Sequence, residues 1–108
     1  MASCTAADVR RLTGVPSSIL SDSDLDEFIA RADRKLVRLG LSGAHADDKR
    51  RAAELLASID AFSRSEMRGG FSAGDFTVSA DEVEESIARW QNEVDEIVEY
   101  STMRFRRV

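Results

Sequence analysis

The chain has 108 residues, the length of one small domain with one hydrophobic core. Its 20 acidic residues outnumber its 15 basic residues, for a net charge of −5, and this argues against tight binding of free nucleic acid, because phosphate neutralisation needs a basic face. The single cysteine excludes an internal disulfide and a CxxC-type metal cluster, and the lack of a long apolar run or a secretory signal predicts a protein made in the cytoplasm without membrane contact.

The first two predicted helices carry start and stop signals. The capping residue Thr5 predicts a short helix over 5–13, which Gly14 ends. A second helix is predicted over 22–39, with acids in its first turns and bases in its last turns, as the helix dipole favours. Its buried stripe, at three- and four-residue spacing, is predicted to consist of Leu25, Phe28, Ile29, Ala32, Leu36 and Leu39.

A third helix is predicted over 47–68, and the glycine pair at 69–70 ends it. The following segment, 69–79, is the only one without a helical period, and we interpret it as an irregular or hairpin-like loop. Large apolar side chains in this loop either fold back over the core or present a contact surface. The predicted buried face of the third helix consists of Ala52, Leu55, Leu56, Ile59 and Phe62. The candidate contact residues of the loop are Phe71, Asp75, Phe76 and Val78.

The last predicted helix, 80–102, begins at a capping box formed by Ser79 and Glu82. Between 81 and 99 it contains eight acids and one base, Arg89. Its apolar residues repeat by four, three, four and three, and they are Val83, Ile87, Trp90, Val94 and Ile97.

The final six residues, 103–108, reverse the charge. Apolar residues and arginines alternate there with a period of two, which suits an extended tail that pairs with a partner or lies in one of its grooves. A frayed terminus is the alternative. The predicted fold class is therefore all-α, a small four-helix bundle over 1–102 with an extended tail. The candidate partner-binding residues are Met103, Arg104, Phe105, Arg106, Arg107 and Val108.

Residues that often perform chemistry are few and scattered. His45 stands beside two aspartates, which is neither the ligand number nor the spacing of a specific metal site, and we interpret it as an exposed loop residue. Cys4 has no basic neighbour in sequence to lower its pKa, so an ordinary surface or half-buried thiol is expected. The 69–70 glycines lack the lysine and the strand–loop–helix order of a phosphate-binding loop. We therefore expect no enzymatic activity, no cofactor and no metal.

Taken in order, these stretches resemble the small head-to-tail connector proteins, also called adaptor or head-completion proteins, of tailed bacterial and archaeal viruses. The resemblance covers nearly the whole chain. It depends, in chain order, on 5–15 (TAADVRRLTGV), 21–32 (SDSDLDEFIARA), the Leu–Gly stop at 39–40, 51–57 (RAAELLA), the Gly-Phe-Ser of the loop and the acidic last helix.

The resemblance implies a helical virion protein at the head–tail junction. Such proteins form a ring, usually a dodecamer, beneath the portal protein; the ring extends the DNA channel and receives the next neck or tail-completion protein. Their C-terminal segment engages the portal and the loop before the last helix shapes the ring, and here 103–108 and 69–78 occupy those positions. DNA would only pass through the channel, whose acidic wall would repel phosphate.

A different class of function stays open beside this one. Short helices around Gly14 or Gly40 could imitate a helix-turn-helix, which would make the chain a small regulator that binds DNA or a protein partner. Neither helix is rich in the Arg, Asn and Gln that read base edges, so the connector is preferred.

Overall fold

The computed structural model of the chain describes residues 3–73 and 76–106. This part is mostly helical and contains one small antiparallel sheet of two strands, so the all-α prediction is confirmed only in its helical content. In chain order the elements are α1 (Ala6–Thr13), α2 (Asp22–Arg38), α3 (Ala46–Phe62), the single-turn α4 (Ser65–Arg68), β1 (Gly70–Ala73), β2 (Phe76–Ser79) and α5 (Ala80–Arg106).

The predicted starts of the first two helices are confirmed by reciprocal capping. The Thr5 hydroxyl accepts a hydrogen bond from the backbone N–H of Asp8 at 3.3 Å, and the Asp8 carboxylate accepts one from the Thr5 N–H at 3.0 Å. Ser21 and Asp24 make the same pair of bonds, each 3.2 Å long. Both arrangements satisfy donors that a helix N-terminus otherwise leaves open.

Helix α3 is the centre of the domain. Helices α1 and α2 pack against it, and α5 also packs against it, whereas α5 makes no contact with α1 or α2 within the described ranges. Because α3 has neighbours on two sides, every residue from 52 to 58 is buried, including the polar Glu54 and Ser58. Of the predicted stripe, Ile59 is only half-buried and the other four residues are buried, together with further residues outside the stripe.

The predicted third helix, 47–68, is wrong at its C-terminal end. Helix α3 stops at Phe62, Arg64 has an extended backbone with ψ 146°, and α4 then adds one turn. In a continuous helix Met67 would lie about 140° around the axis from Phe62. The break redirects the chain so that Met67, only 1% exposed, enters the core.

The prediction of an extended tail is also wrong where the structure describes it. The backbone of 103–106 continues α5, and the last two residues lie outside the described part. No glycine or proline separates these residues from the preceding turns. Each residue added to an existing helix gains one backbone hydrogen bond. The short alternation of apolar residues and arginines in this segment is therefore not enough to stop the helix.

The hairpin-like interpretation of 69–79 is confirmed as an antiparallel β-hairpin. Phe71 pairs with Val78 across the two strands, and both side chains are half-buried against the core. The centroids of the Phe71 and Phe62 rings lie 5.5 Å apart, in an edge-to-face arrangement. Phe71 and Val78 of the hairpin therefore fold back over the core. Asp75 and the side chain of Phe76 lie outside the described part. None of the described helices combines the length and apolar character that a membrane crossing requires.

Candidate functional site

The structure separates the two segments that the sequence predicts as contact sites. The hairpin, 70–79, immediately precedes α5, while 103–106 form the opposite end of that helix. A helix of 27 residues is about 40 Å long. The two segments therefore cannot form one site on a single copy.

One side of α5 packs against the domain and the other side is polar. Val83, Trp90 and Val94 are buried, and Ile87 and Ile97 are half-buried, which confirms the predicted stripe. The Trp90 ring lies 4.9 Å from the Phe62 ring, measured between centroids. The exposed acidic side chains of this helix are Asp81, Glu82, Glu84, Glu85, Asp95, Glu96 and Glu99.

A two-pronged ion pair joins α5 to the central helix. The Arg51 guanidinium donates to the two carboxylate oxygens of Glu93 at 2.6 and 3.1 Å, and it lies 3.5 Å from Glu54. Hydrogen bonding from Arg51 lowers the pKa of the Glu93 carboxyl, and the same bond raises the pKa of Arg51. The partners are 42 residues apart, so no local sequence pattern could have identified the pair.

Replacing Glu93 with glutamine tests this pair through pH. Because the folded-state pKa of Glu93 lies below its unfolded value, the pair stabilises the fold above the ordinary Glu pKa of about 4.3, and the stabilisation is lost as the pH falls through the folded-state value. The Glu93 side chain is 36% exposed, so screening limits the expected cost of Glu93→Gln at pH 7 to about 0.5–1 kcal/mol.

Urea denaturation at a series of pH values measures this cost. The stability curves of wild type and Glu93→Gln are expected to converge below about pH 4. Glu96→Gln, which removes an exposed charge on the same helix, is the matched control and should change stability little at any pH. A cost for Glu93→Gln that is the same at neutral and acid pH would contradict the assignment.

A basic face covers the C-terminal half of α2. It is defined by residues spaced at i, i+3, i+4 and i+7, which share one side of a helix. Two of them have acidic neighbours, because Arg31 binds Glu27 at 3.1 Å and Lys35 lies 3.5 Å from Asp60. From the sequence, these bases were explained only by the helix dipole. Their spacing also places them on one face of the helix, and that spacing is the signal of a basic surface that was missed. The α2 basic face consists of Arg31, Arg34, Lys35 and Arg38.

A groove of about 450 Å³ lies between α1 and α3. Its charged groups largely neutralise one another: Arg11 lies 3.5 Å from Asp8, and Arg50 lies 3.3 Å from the buried Glu54. A hydrogen bond from the Thr5 backbone also lowers the pKa of the Asp8 carboxyl. These groups are arranged as capping and ion-pair contacts between helices. The groove is lined by Asp8, Arg11, Leu12, Asp47, Arg50, Arg51 and Glu54.

The two residues with the greatest potential reactivity have structural roles. Cys4 is buried, against the expectation of a surface or half-buried thiol, and burial raises its pKa to about 12, so the thiol stays protonated and is a poor nucleophile. His45 is exposed as predicted, and its Nδ1 accepts a hydrogen bond from the Asp47 N–H at 3.2 Å at the start of α3. Within 3–73 and 76–106, no three His, Cys, Asp or Glu residues are grouped as metal ligands.

The candidate surfaces for a partner are thus the hairpin, the end of α5, the α2 basic face and an acidic face on α5. We define the α5 acidic face as Asp95, Glu96 and Glu99, which are all exposed and span a little more than one turn near the end of the helix. No family model matches the chain, and no curated protein or solved structure matches it either.

Proposed function

We propose that the chain is a structural virion protein of a tailed virus, which forms a ring beneath the portal and connects the filled head to the neck or tail. The observation that carries this proposal is α5, a helix of 27 residues with one apolar stripe against the domain and eight acids against one base between 81 and 99. The sequence resemblance to head-to-tail connectors supports the same function.

The charge of α5 suits a wall past which DNA moves. A duplex is densely negative, and a protein that bound its phosphates through basic residues would hold it in place. An acidic surface instead repels phosphate and lets the duplex slide. In the proposed ring, the exposed acids of the first turns of α5 would therefore be compatible with a position near the channel; they are Asp81, Glu82, Glu84 and Glu85.

The end of α5 is the segment that we propose to contact the portal protein. Three of the residues 103–108 are arginines, in contrast to the acids of the preceding turns. Since 103–106 are helical, the contact would be made by a helix end that enters a groove of the portal. The hairpin, at the other end of α5, would contact a neighbouring copy or the next neck protein.

Removal of residues 103–108 tests the portal contact. The truncated chain is expected to retain its helical circular dichroism spectrum, because the predicted core residues all precede this segment, and to lose portal binding in a pull-down with the portal protein of the same virus. Charge reversal at Arg104 and Arg106 should weaken binding in the same direction, and reversal at Arg68 and Arg89, which are exposed and form no ion pair with a described residue, is the matched control.

Portal binding that is unchanged by the truncation would contradict the contact. Electron microscopy of the protein with and without portal tests the ring itself. A monomer that is absent from virus particles and that turns over a small molecule would overturn the proposed function as a whole.

A small DNA-binding regulator is the second candidate, and the α2 basic face is the observation that favours it. Such a regulator would retard short duplex DNA in a mobility-shift assay, with an affinity that falls steeply as salt is raised. The connector is expected to produce no shift at any salt concentration.

A further inference from the structure

Two faces of opposite charge lie on helices that are separated by the centre of the domain. The α2 basic face and the α5 acidic face belong to helices that both pack against α3 and, in the described ranges, do not contact each other. Arg34 and Arg38 on one face and Glu96 and Glu99 on the other are exposed, and neither face can neutralise the other within one copy. Both faces occupy the C-terminal half of their helix.

Part of the charge on each face has no internal partner. Arg31 and Lys35 have acidic neighbours, but among the described residues no ion pair is formed by Arg34 or Arg38. On the other helix, Asp95 accepts a hydrogen bond from the Gln91 amide at 3.1 Å. Glu96 and Glu99 form no ion pair with any described residue.

The large exposed apolar side chains lie beside the same two faces. Among the described residues they are Val37, Leu39 and Tyr100, with 66%, 37% and 59% of their surface exposed, so the prediction that Leu39 belongs to the buried stripe of α2 is wrong. Val37 follows Arg34 by three residues, and Leu39 and Tyr100 follow Lys35 and Glu96 by four, spacings that make side chains neighbours on a helix. A single exposed apolar residue is ordinary in a folded protein. Their restriction to the margins of two complementary charged faces is typical of a protein interface, where aromatic and apolar groups lie among polar residues.

We infer that the α2 basic face of one copy binds the α5 acidic face of the next copy. This contact joins two different surfaces, so it is heterologous and builds a ring where the rotation between copies closes. Contact between two α2 faces or two α5 faces would place like charges together. A two-fold dimer with opposite charges paired would need one partner to bind both faces of a copy at once, and the separation of α2 from α5 by α3 disfavours this. The inference deepens the proposed function and rests on it for closure of the ring.

Complementary charge reversal tests the interface. In sedimentation velocity at low salt, the wild-type chain is expected to associate in a concentration-dependent way, and raising the salt to about 0.5 M should weaken association because exposed charges are screened. Variant A, R34E/R38E, and variant B, E96R/E99R, should each lose at least tenfold in self-affinity. Because Arg31 and Lys35 are already paired with Glu27 and Asp60, reversal of Arg34 and Arg38 gives the α2 face of variant A a net negative charge, the sign of its α5 face. In variant B the two new arginines outweigh Asp95, so both faces are positive.

An equimolar mixture of variants A and B should associate again, because each face then meets a face of opposite charge on the other variant. The chain that carries all four substitutions should likewise associate alone. R68E/R89E changes the net charge by the same amount as variant A at two exposed positions outside both faces, neither of which forms an ion pair with a described residue, and it should associate as wild type does. Circular dichroism confirms that each variant is folded.

Three results would overturn the interface: a wild-type chain that stays monomeric up to about 1 mM, variants A and B that do not restore association when mixed, or duplex DNA binding that variant A abolishes. These results test the interface separately from the proposed function. If variant A still binds portal but the mixture fails to associate, the interface is wrong and the connector function stands. If association follows the charges and no chain binds portal, the connector function is wrong.

Discussion

Replacing Gly70 with alanine is expected to destabilise the fold by about 2–5 kcal/mol, the sum of a left-handed backbone penalty and a steric clash. Gly70 has φ +89°, and a Cβ at this position would lie 2.8 Å from the Val78 carbonyl oxygen and 2.9 Å from the Ala80 nitrogen. Both atoms belong to the backbone where β2 leads into α5. They cannot rotate away as a side chain does, so the strand or the helix start must shift.

Gly40→Ala is the matched control for this substitution. Gly40 also has a positive φ, +76°, but a Cβ there meets nothing within 4 Å, so only the backbone penalty of about 1–2 kcal/mol applies. Urea denaturation of both variants measures the difference. Equal losses would show that the close approach of Gly70 to the β2–α5 junction contributes nothing to stability.

Replacing Phe62 with alanine is expected to cost about 3–5 kcal/mol, a large part of the total stability of a domain of this size. Phe62 is 2% exposed, and its ring contacts Phe71 of the hairpin at 5.5 Å and Trp90 of α5 at 4.9 Å. The substitution would leave a cavity where α3, the hairpin and α5 meet. Thermal unfolding should shift down by more than about 12 °C.

Trp90 is the only tryptophan in the chain, so its fluorescence reports directly on this junction. Phe62→Leu is the control that keeps a large apolar side chain but removes both ring contacts, and a loss of roughly 1–2 kcal/mol is expected from it. A loss below about 1 kcal/mol for Phe62→Ala, with unchanged Trp90 fluorescence, would contradict the central position of this residue.

Gly70 and Phe62 also affect assembly, because they hold α5 and the hairpin in a fixed orientation on the domain. The proposed interface between copies needs α2 and α5 on opposite sides of α3. A variant that loosens the junction around Phe62 should therefore impair assembly without altering either charged face.

Much of the helical structure was predictable because its signals are local. The capping pairs at Thr5 and Ser21 act within one turn, and the stripe of α5 repeats at helical spacing, so each can be identified without knowing the fold. The break after Phe62 was not predictable in this way. The break allows Met67 to be buried, and the free energy of that burial is gained only when the domain is packed.

The features of the candidate site also fall into two groups, those that the sequence predicts and those that depend on the tertiary structure. The sequence by itself determined that the chain is mostly helical, that α5 is acidic on one side and that the charge reverses near its end, because these properties follow from residue type and helical period. Only the tertiary structure decided that the α2 basic face and the α5 acidic face lie on helices separated by α3, that Arg51 reaches Glu93, and that 103–106 continue a helix. These features depend on which helices pack together and on contacts between residues far apart in the chain, and a local pattern does not contain that information.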